Sequence, residues 1–396
     1  MIAGRVAGGS LLAIIRRTPR STITDRAALK RLFSVNRDIM IRSFCLLGAF
    51  MLFARLGAQF GTLVLAANGI KTRHYALDRD QNPTHNVYEM ATLAIQNMLI
   101  GGPVDLPISY LSAGSTCTPF SGPGMGSIVH GMLADGTRAS ANYPLEVNSN
   151  AGICTSAAMG LVNACRAIQV GDHAAAICVG AEEPSRVLKS NVIDPPQDSL
   201  MIEQDIKRSQ WFMSVFLRFM LSDGAGACLL QNQPAESGTS LKIDWTFSQS
   251  FANEAPLCMK MENRSERLTQ DVKILSRYLF KCAEKLLATA FERHGDSFDG
   301  YRVILPHISS FFFRRKMERV IRKFTIDPDL SVDYWTNLSS VGNVGSASIF
   351  LMLDEFLKTH SLRSGERILL FVPESGQFNF VLVSLTAVSA DAKVSR

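Results

Sequence analysis

The chain has no Cys-x-x-Cys pair and no histidine at metal-ligand spacing from another candidate ligand. Its eight cysteines, at 45, 117, 154, 165, 178, 228, 258 and 282, are scattered. Neither a zinc site nor a disulfide framework is expected, and a reducing cytoplasm is the simplest location. Long apolar runs are also missing: residues 44–54 (FCLLGAFMLFA) reach only about half the length of a bilayer helix before Arg55 and Gln59 intervene. Membrane association is therefore not expected, the competing reading being an anchor over 44–70. Nor is there a broad basic face. The net charge is +6, but residues 1–42 hold nine Lys/Arg against Asp25 and Asp38, which leaves the remainder at about −1. Nucleic acid is thereby excluded as an expected partner.

What the chain does have is 47% apolar and 19% charged residues over 396 positions, enough for one large core or two packed halves. Its organising stretch is VNSNAGICTSAAMGLVNACRAIQVGDHAAAICVGAEEPS, with Cys154 at the pivot. Ala158, Leu161, Val162, Cys165 and Ile168 recur at helical spacing until Gly171 ends the pattern, and Ala174 to Val179 reads as a buried strand. Strand, cysteine, helix, strand places the thiol at a helix N-terminus, where free N–H groups favour a thiolate. Cys154 is a candidate nucleophile; the competing reading is a small buried hydrophobe.

Along the rest of the chain, residues 1–62 read as a divergent or poorly ordered, Arg-rich leader. Residues 85–100 predict a helix, Leu106 to Leu111 a strand, Ser127 to Leu133 a second helix and Leu145 to Asn148 the strand that delivers Cys154. Residues 185–216, with Pro195 and Pro196, lack periodicity and read as a lid or interface insertion. Asp223-Gly224 predicts a tight turn between strands Phe216–Leu221 and Ala225–Leu230. A second half starts near Leu241 with a strand, then an amphipathic helix carrying Leu268, Val272, Leu275, Leu279, Cys282 and Leu286. Strand Val303–Leu305 runs into Pro306 and His307, so the histidine sits at a strand end, where α/β proteins place their chemistry. A helix over Ser309–Lys323 follows, then the glycine-rich turn GNVG holding Asn343, a helix from about Val344, strand Arg367–Val372, a turn at Glu374, Ser375 and Gly376, and strand Phe378–Leu385. By themselves His307 could be structural and Asn343 a turn residue.

The two halves echo one another. Cys154, its helix, a strand and a hairpin correspond in order to Asn343, its helix, a strand and a hairpin. Two halves related by a pseudo-two-fold axis would bring both helix starts toward one pocket. At this point NGIKTRH, AGICTSAAMGLVNA, VGAEEPSR, SDGAGACLL, LPH and VGNVGSAS, in that order, resemble the thiolase-superfamily condensing enzymes of the ketoacyl-ACP synthase III type, over roughly residues 64–396. GIKTRHYALD, EVNSNAGICTSAAMG and WTNLSSVGNVGSASIFLMLDEF most resemble the ketosynthases that build dialkylresorcinol precursors.

The resemblance implies an α/β, five-layered αβαβα fold of two pseudo-symmetric halves, 63–235 and 236–396. It implies Claisen condensation of an acyl thioester with a malonyl or β-ketoacyl thioester through an acyl-cysteine, without a cofactor or metal. Cys154 is then the nucleophile, His307 and Asn343 activate the second substrate, and the N–H groups of Cys154 and Gly376 form an oxyanion hole. Acyl carrier protein or coenzyme A thioesters are the implied partners, and a homodimer the implied assembly. Arg314, Arg315, Lys316 and Arg319 would meet the carrier's acidic surface or the coenzyme phosphates, the alternative being an ordinary solvated helix face. Phe311, Phe312 and Phe313 read as core, one of them a possible wall of an acyl channel. Glu146, Glu182 and Glu183 are candidate bases. A catalytically silent partner subunit of a heterodimer is the alternative function, and retention of Cys154, His307 and Asn343 speaks against it.

Overall fold

The structure is a computed structural model that describes residues 69–100, 107–134, 144–188, 216–262, 267–327, 329–330 and 332–389. All of these belong to one compact unit, Leu65–Arg396. The leader expected over 1–62 and residues 189–215 of the expected insertion lie outside the described residues.

Two four-stranded sheets organise the unit. The first is built from β1 (Ile108–Ser115), β2 (Glu146–Ala151), β3 (Ala175–Glu182) and β4 (Gly224–Gln231), in the order β2-β1-β3-β4. β1 is parallel to β2 and β3, and β4 is antiparallel to β3. The second is built from β5 (Thr239–Ser250), β8 (Val303–Pro306), β9 (Arg367–Pro373) and β10 (Asn379–Ser389), in the order β5-β10-β9-β8. Here β8 and β9 are parallel and β10 is antiparallel to both β9 and β5. The run β1-β3-β4 thus repeats as β8-β9-β10. The place of β2 is taken by a single parallel bridge, Ile304 to Tyr334. A separate hairpin, β6 (Met259–Glu262) with β7 (Arg267–Gln270), precedes the longest helix among the described residues.

The alternation of side chains along these strands decides the layers. On β3, Ala175, Ile177, Val179 and Ala181 pack with α1 (Val87–Ile100) and α2 (Met125–Ala134), whereas Ala176 and Cys178 face α3 (Ser156–Gln169). On β9, Leu369 and Phe371 pack with α5 (Val272–His294) and α6 (Arg314–Lys323), whereas Ile368, Leu370 and Val372 face the same middle layer as α3 and α8 (Ser348–Thr359). The result is five layers: helices, sheet, helices, sheet, helices. Because both faces of β3 and β9 are covered, neither shows the apolar-polar alternation of a half-exposed strand. Each fully buried Leu or Ile here, such as Leu286 or Ile177, contributes roughly 1.5–3 kcal/mol.

Most predicted elements are present with shifted ends. Three expectations are corrected. Residues 216–220 are helical rather than a strand, so Asp223-Gly224 does not close a hairpin. Leu221 instead bridges in parallel to Asn343, and the Asp223 carboxylate accepts from the backbone N–H groups of Ala76 and Ser185. Leu268 belongs to β7, because Asp271, in an extended conformation, accepts from the N–H groups of Lys273 and Ile274 and starts α5 there. The helix predicted from Ser309 opens as a 3-10 turn, Phe311–Phe313, and becomes α-helical only at Arg314. Two short helices, α4 (Ser185–Leu188) and α7 (Leu338–Val341), complete the elements named here.

Candidate active site

Cys154 lies in the connection between β2 and α3 and is buried, 6% exposed. Thr155 occupies the N-cap position of α3, yet its hydroxyl caps nothing; it donates to the Glu374 carboxylate, which also accepts from the Ile153 N–H at 3.4 Å. Burial pushes the Cys154 thiol up, reinforced by the Glu374 and then the Glu182 carboxylates, against the pull of the N–H groups of Ser375 and Cys154. The expectation that the helix start favours a thiolate is overturned, because desolvation outweighs those two donors. Burial thus favours the neutral thiol at Cys154.

His307 follows β8 directly and its backbone N–H donates to Phe371 at 2.8 Å, which holds it beside β9. Its Nε2 is buried without a hydrogen-bond partner. Burial lowers its pKa to about 4, so the imidazole is neutral at ordinary pH and its ring can accept or donate a proton to an incoming group.

Asn343 is placed by its neighbours on both sides: its N–H donates to Met220 at 2.9 Å and its carbonyl accepts from Ser222 at 2.8 Å. Its side-chain oxygen accepts from the Gly345 N–H at 2.9 Å. A backbone N–H can only donate, which assigns Oδ1 to that bond and leaves Nδ2 as the group for a ligand.

Two adjoining cavities meet at Cys154. One is lined by Cys154, His307, Ser309, Ser375 and apolar residues that include Leu279 of α5, Phe313 of the 3-10 turn and Met317 of α6. The other is lined by Cys154, Asn343, Glu182, Ser309, Ser375 and apolar residues that include Leu217, Met261 and Leu268. Measured to the centres of water-sized spheres they hold about 30 and about 60 Å³, room for a few waters each. The structure therefore brings the thiol together with the imidazole in one cavity and with the amide in the next.

The remaining expected positions divide. Gly376 lines neither cavity; the backbone N–H facing the sulfur, beside that of Cys154 itself, belongs to Ser375, one residue earlier. The carbonyl of Gly376 instead accepts from Cys258 and Met259. On α6, Met317, Val320 and Ile321 face the core and Arg314, Arg315 and Arg319 face solvent. Arg314 pairs with Glu318 at 3.1 Å, and Lys316 lies over the rings of Phe280 and Phe312. Of the aromatic triplet, Phe313 is buried and is also a cavity wall. Glu146 is exposed and bonds His173. Among the described residues no cluster of His, Cys, Asp and Glu could hold a metal ion, and Cys154, Cys165, Cys178, Cys228, Cys258 and Cys282 are free thiols.

Residues 302–377, which carry His307, Asn343 and Ser375, match the family model described as 3-oxoacyl-(acyl-carrier-protein) synthase III, C terminal. The beta-ketoacyl-(acyl-carrier-protein) synthase III of Clostridium kluyveri is 26% identical over 160 residues, 38% of this chain and 47% of that protein. The chain thus spans about half the length of the curated relatives it matches. Among solved structures, a Xanthomonas campestris OleA with bound lauric acid and lauroyl-CoA superposes with a TM-score of 0.66 at 22% identity, over 84% of this chain and 90% of that one. The 3-oxoacyl-(acyl carrier protein) synthase III, FabH, of Xanthomonas oryzae gives 0.63 at 21%, over 80% and 86%. AbyA1, a tetronic acid condensing enzyme, gives 0.61 at 19%, over 80% and 92%. The chain has the thiolase fold of the FabH and OleA condensing enzymes.

Within the thiolase fold, sequence reasoning missed Glu374, Thr155, Ser346 and Ser375 as parts of the site and left Glu182 only as a possible base. Glu182 is buried at the end of β3, and its carboxylate accepts from the N–H and hydroxyl of Thr116 and from the N–H and hydroxyl of Ser346, at 2.6–3.2 Å. Burial raises its pKa to about 7, and those bonds pull the other way. A signal was present in the sequence: each of the two long buried strands, β3 and β9, ends on or just before a glutamate, where a charge needs partners to be tolerated.

Proposed function

We propose that the chain is a condensing acyltransferase in which Cys154 carries an acyl group between two thioesters. The observation that carries this reading is the shared position of the thiol, with the unpartnered Nε2 of His307 in one cavity and the free amide of Asn343 in the other. In the first half-reaction the Cys154 sulfur attacks the thioester carbonyl carbon and its proton passes to His307 Nε2. The departing thiol takes a proton as the C–S bond breaks, and the acyl group stays on Cys154. The N–H groups of Cys154 and Ser375, which face the sulfur, would donate to the oxygen that gains charge. In the second half-reaction His307 and Asn343 hydrogen-bond the carbonyl oxygen of the acceptor thioester as it becomes an enolate, a malonyl group by breaking its C–C bond to the carboxylate and releasing carbon dioxide, a β-ketoacyl group by giving its α-proton to a carboxylate of the second cavity. The enolate carbon attacks the acyl carbonyl, the new C–C bond forms and the Cys154 sulfur leaves. Splitting acyl transfer this way gives ping-pong kinetics. The dialkylresorcinol resemblance makes a β-ketoacyl thioester the acceptor to test first, and the solvent-facing guanidinium groups of α6 suit an acyl carrier protein or coenzyme A. A cytoplasmic homodimer is the setting this reading assumes.

The test is acylation. Incubation with a series of acyl-CoA thioesters should add one acyl mass to the intact protein, located by peptide mapping at Cys154 and absent from Cys154→Ala. A chain that takes up no acyl group from any donor is not this enzyme, and the silent-partner reading then stands.

A further inference from the structure

The two glutamates at the ends of β3 and β9 reach across the pseudo-two-fold axis in opposite directions. Glu182 leaves the first half and accepts the N–H and hydroxyl of Ser346, three residues after Asn343 in the second half. Glu374 leaves the second half and accepts the hydroxyl of Thr155 and the N–H of Ile153, the residues on either side of Cys154 in the first half. Both carboxylates are buried, 5% and 7% exposed. Asn379, on the strand after Glu374, adds a bond to the Thr155 hydroxyl at 3.2 Å. We infer that Glu182 and Glu374 are a reciprocal pair of positioning residues, each holding the turn that presents the other half's reacting side chain.

The route from each carboxylate to its target is short. Ser346 and Gly345 sit in a 3-10 turn with Gly345 at φ +52°, and a Cβ there would approach the Glu182 Cγ to 3.0 Å and its carboxyl to 3.1 Å. Only glycine accepts both the backbone conformation and the neighbour. The same Gly345 donates the N–H that locks the Asn343 oxygen, so Glu182 sets the direction in which the Asn343 amide can donate. On the other side, Glu374 diverts the Thr155 hydroxyl from capping α3 and draws on the N–H of Ile153, which fixes the chain immediately before and after the sulfur. A buried carboxylate that accepts several donors has one position, and a charge-assisted bond is stronger than a neutral one. Each half therefore orients the chemistry of the other, and neither half holds a finished site alone.

This inference rests on the condensing-enzyme reading for its kinetic readout, and one measurement is independent of it. Thr155→Val and Ser346→Ala each remove one partner of a carboxylate without changing charge. In single-turnover assays Thr155→Val should slow acylation of Cys154 about tenfold, the scale of one lost bond to a charged group, and leave the condensation step from preformed acyl-enzyme near wild type. Ser346→Ala should do the reverse. The alkylation rate of Cys154 by iodoacetamide, read by peptide mass, should change in Thr155→Val and not in Ser346→Ala, whether or not any thioester is a substrate. Equal loss of both half-reactions in both variants, alongside equal drops in melting temperature, would mean the carboxylates only hold the fold. Wild-type rates and unchanged alkylation in both would remove the inference as well. Glu182→Gln and Glu374→Gln, if they fold, should show the same division between half-reactions.

Discussion

The buried His307 imidazole and the buried Glu182 carboxylate give the protein opposite responses to acid. His307 has its pKa lowered to about 4 by burial, so its neutral form is the one folding favours. Its contribution is present above the ordinary histidine value of 6.5 and is lost as pH falls toward 4, about 3 kcal/mol for a shift of that size. Glu182 has its pKa raised to about 7 by burial, so its contribution is present below the ordinary glutamate value and is lost as pH rises through 7. Denaturant melts of His307→Asn between pH 7 and 4 should therefore show a shallower loss of stability than the wild type. The same melts of Glu182→Gln should show a smaller decline between pH 5 and 8. Parallel curves for all three proteins would mean that neither group's pKa differs between the folded and the unfolded chain. At this scale the sequence showed which residue types could react; it did not show that burial favours the neutral thiol, because desolvation comes from neighbours hundreds of positions away.

At the level of elements, the approach of α3 to the first sheet depends on a residue with no side chain. A Cβ at Gly114 on β1 would lie 2.6 Å from the backbone of Ser156 and Ala157 in the first turn of α3. Backbone cannot swing aside as a flexible side chain can, so Gly114→Ala has to push the start of α3, and Cys154 with it, away from the sheet. The expected cost is roughly 1–3 kcal/mol, typical of overpacking, with a slowed reaction of Cys154 toward iodoacetamide. A variant with wild-type melting temperature and thiol reactivity would show that α3 has slack there. The helices and strands themselves were legible because their periodicities are local: the α3 face from Ala158 to Ile168 and the buried runs of β3 and β9 are plain in the sequence. The false hairpin at Asp223 shows the limit of such patterns. Asp-Gly suits a turn, but here the aspartate serves two distant N–H groups and Leu221 pairs with Asn343.

Taken whole, the unit has one middle layer that belongs to both halves: α3 and α8 pack in the same apolar cluster, with residues of β3 on one side and β9 on the other. Halves that share a core cannot lose it separately. Hydrogen exchange in rising denaturant should show amides of β3 and β9 opening with the same free energy, and two distinct openings would make the halves independent folding units. Among the described residues no helix is long and apolar enough to cross a membrane. Read alone, the chain settled its class and its repeat: alternation and helical spacing are properties of neighbouring residues, and Cys154, His307 and Asn343 stand at element ends that such spacing locates. The three-dimensional arrangement alone decided which groups surround them. Glu182 and Ser346 are 164 positions apart and Thr155 and Glu374 are 219 apart, and only the crossing of two halves about a shared axis makes them partners, since hydrogen bonds act over ångströms and carry no trace of order along the chain.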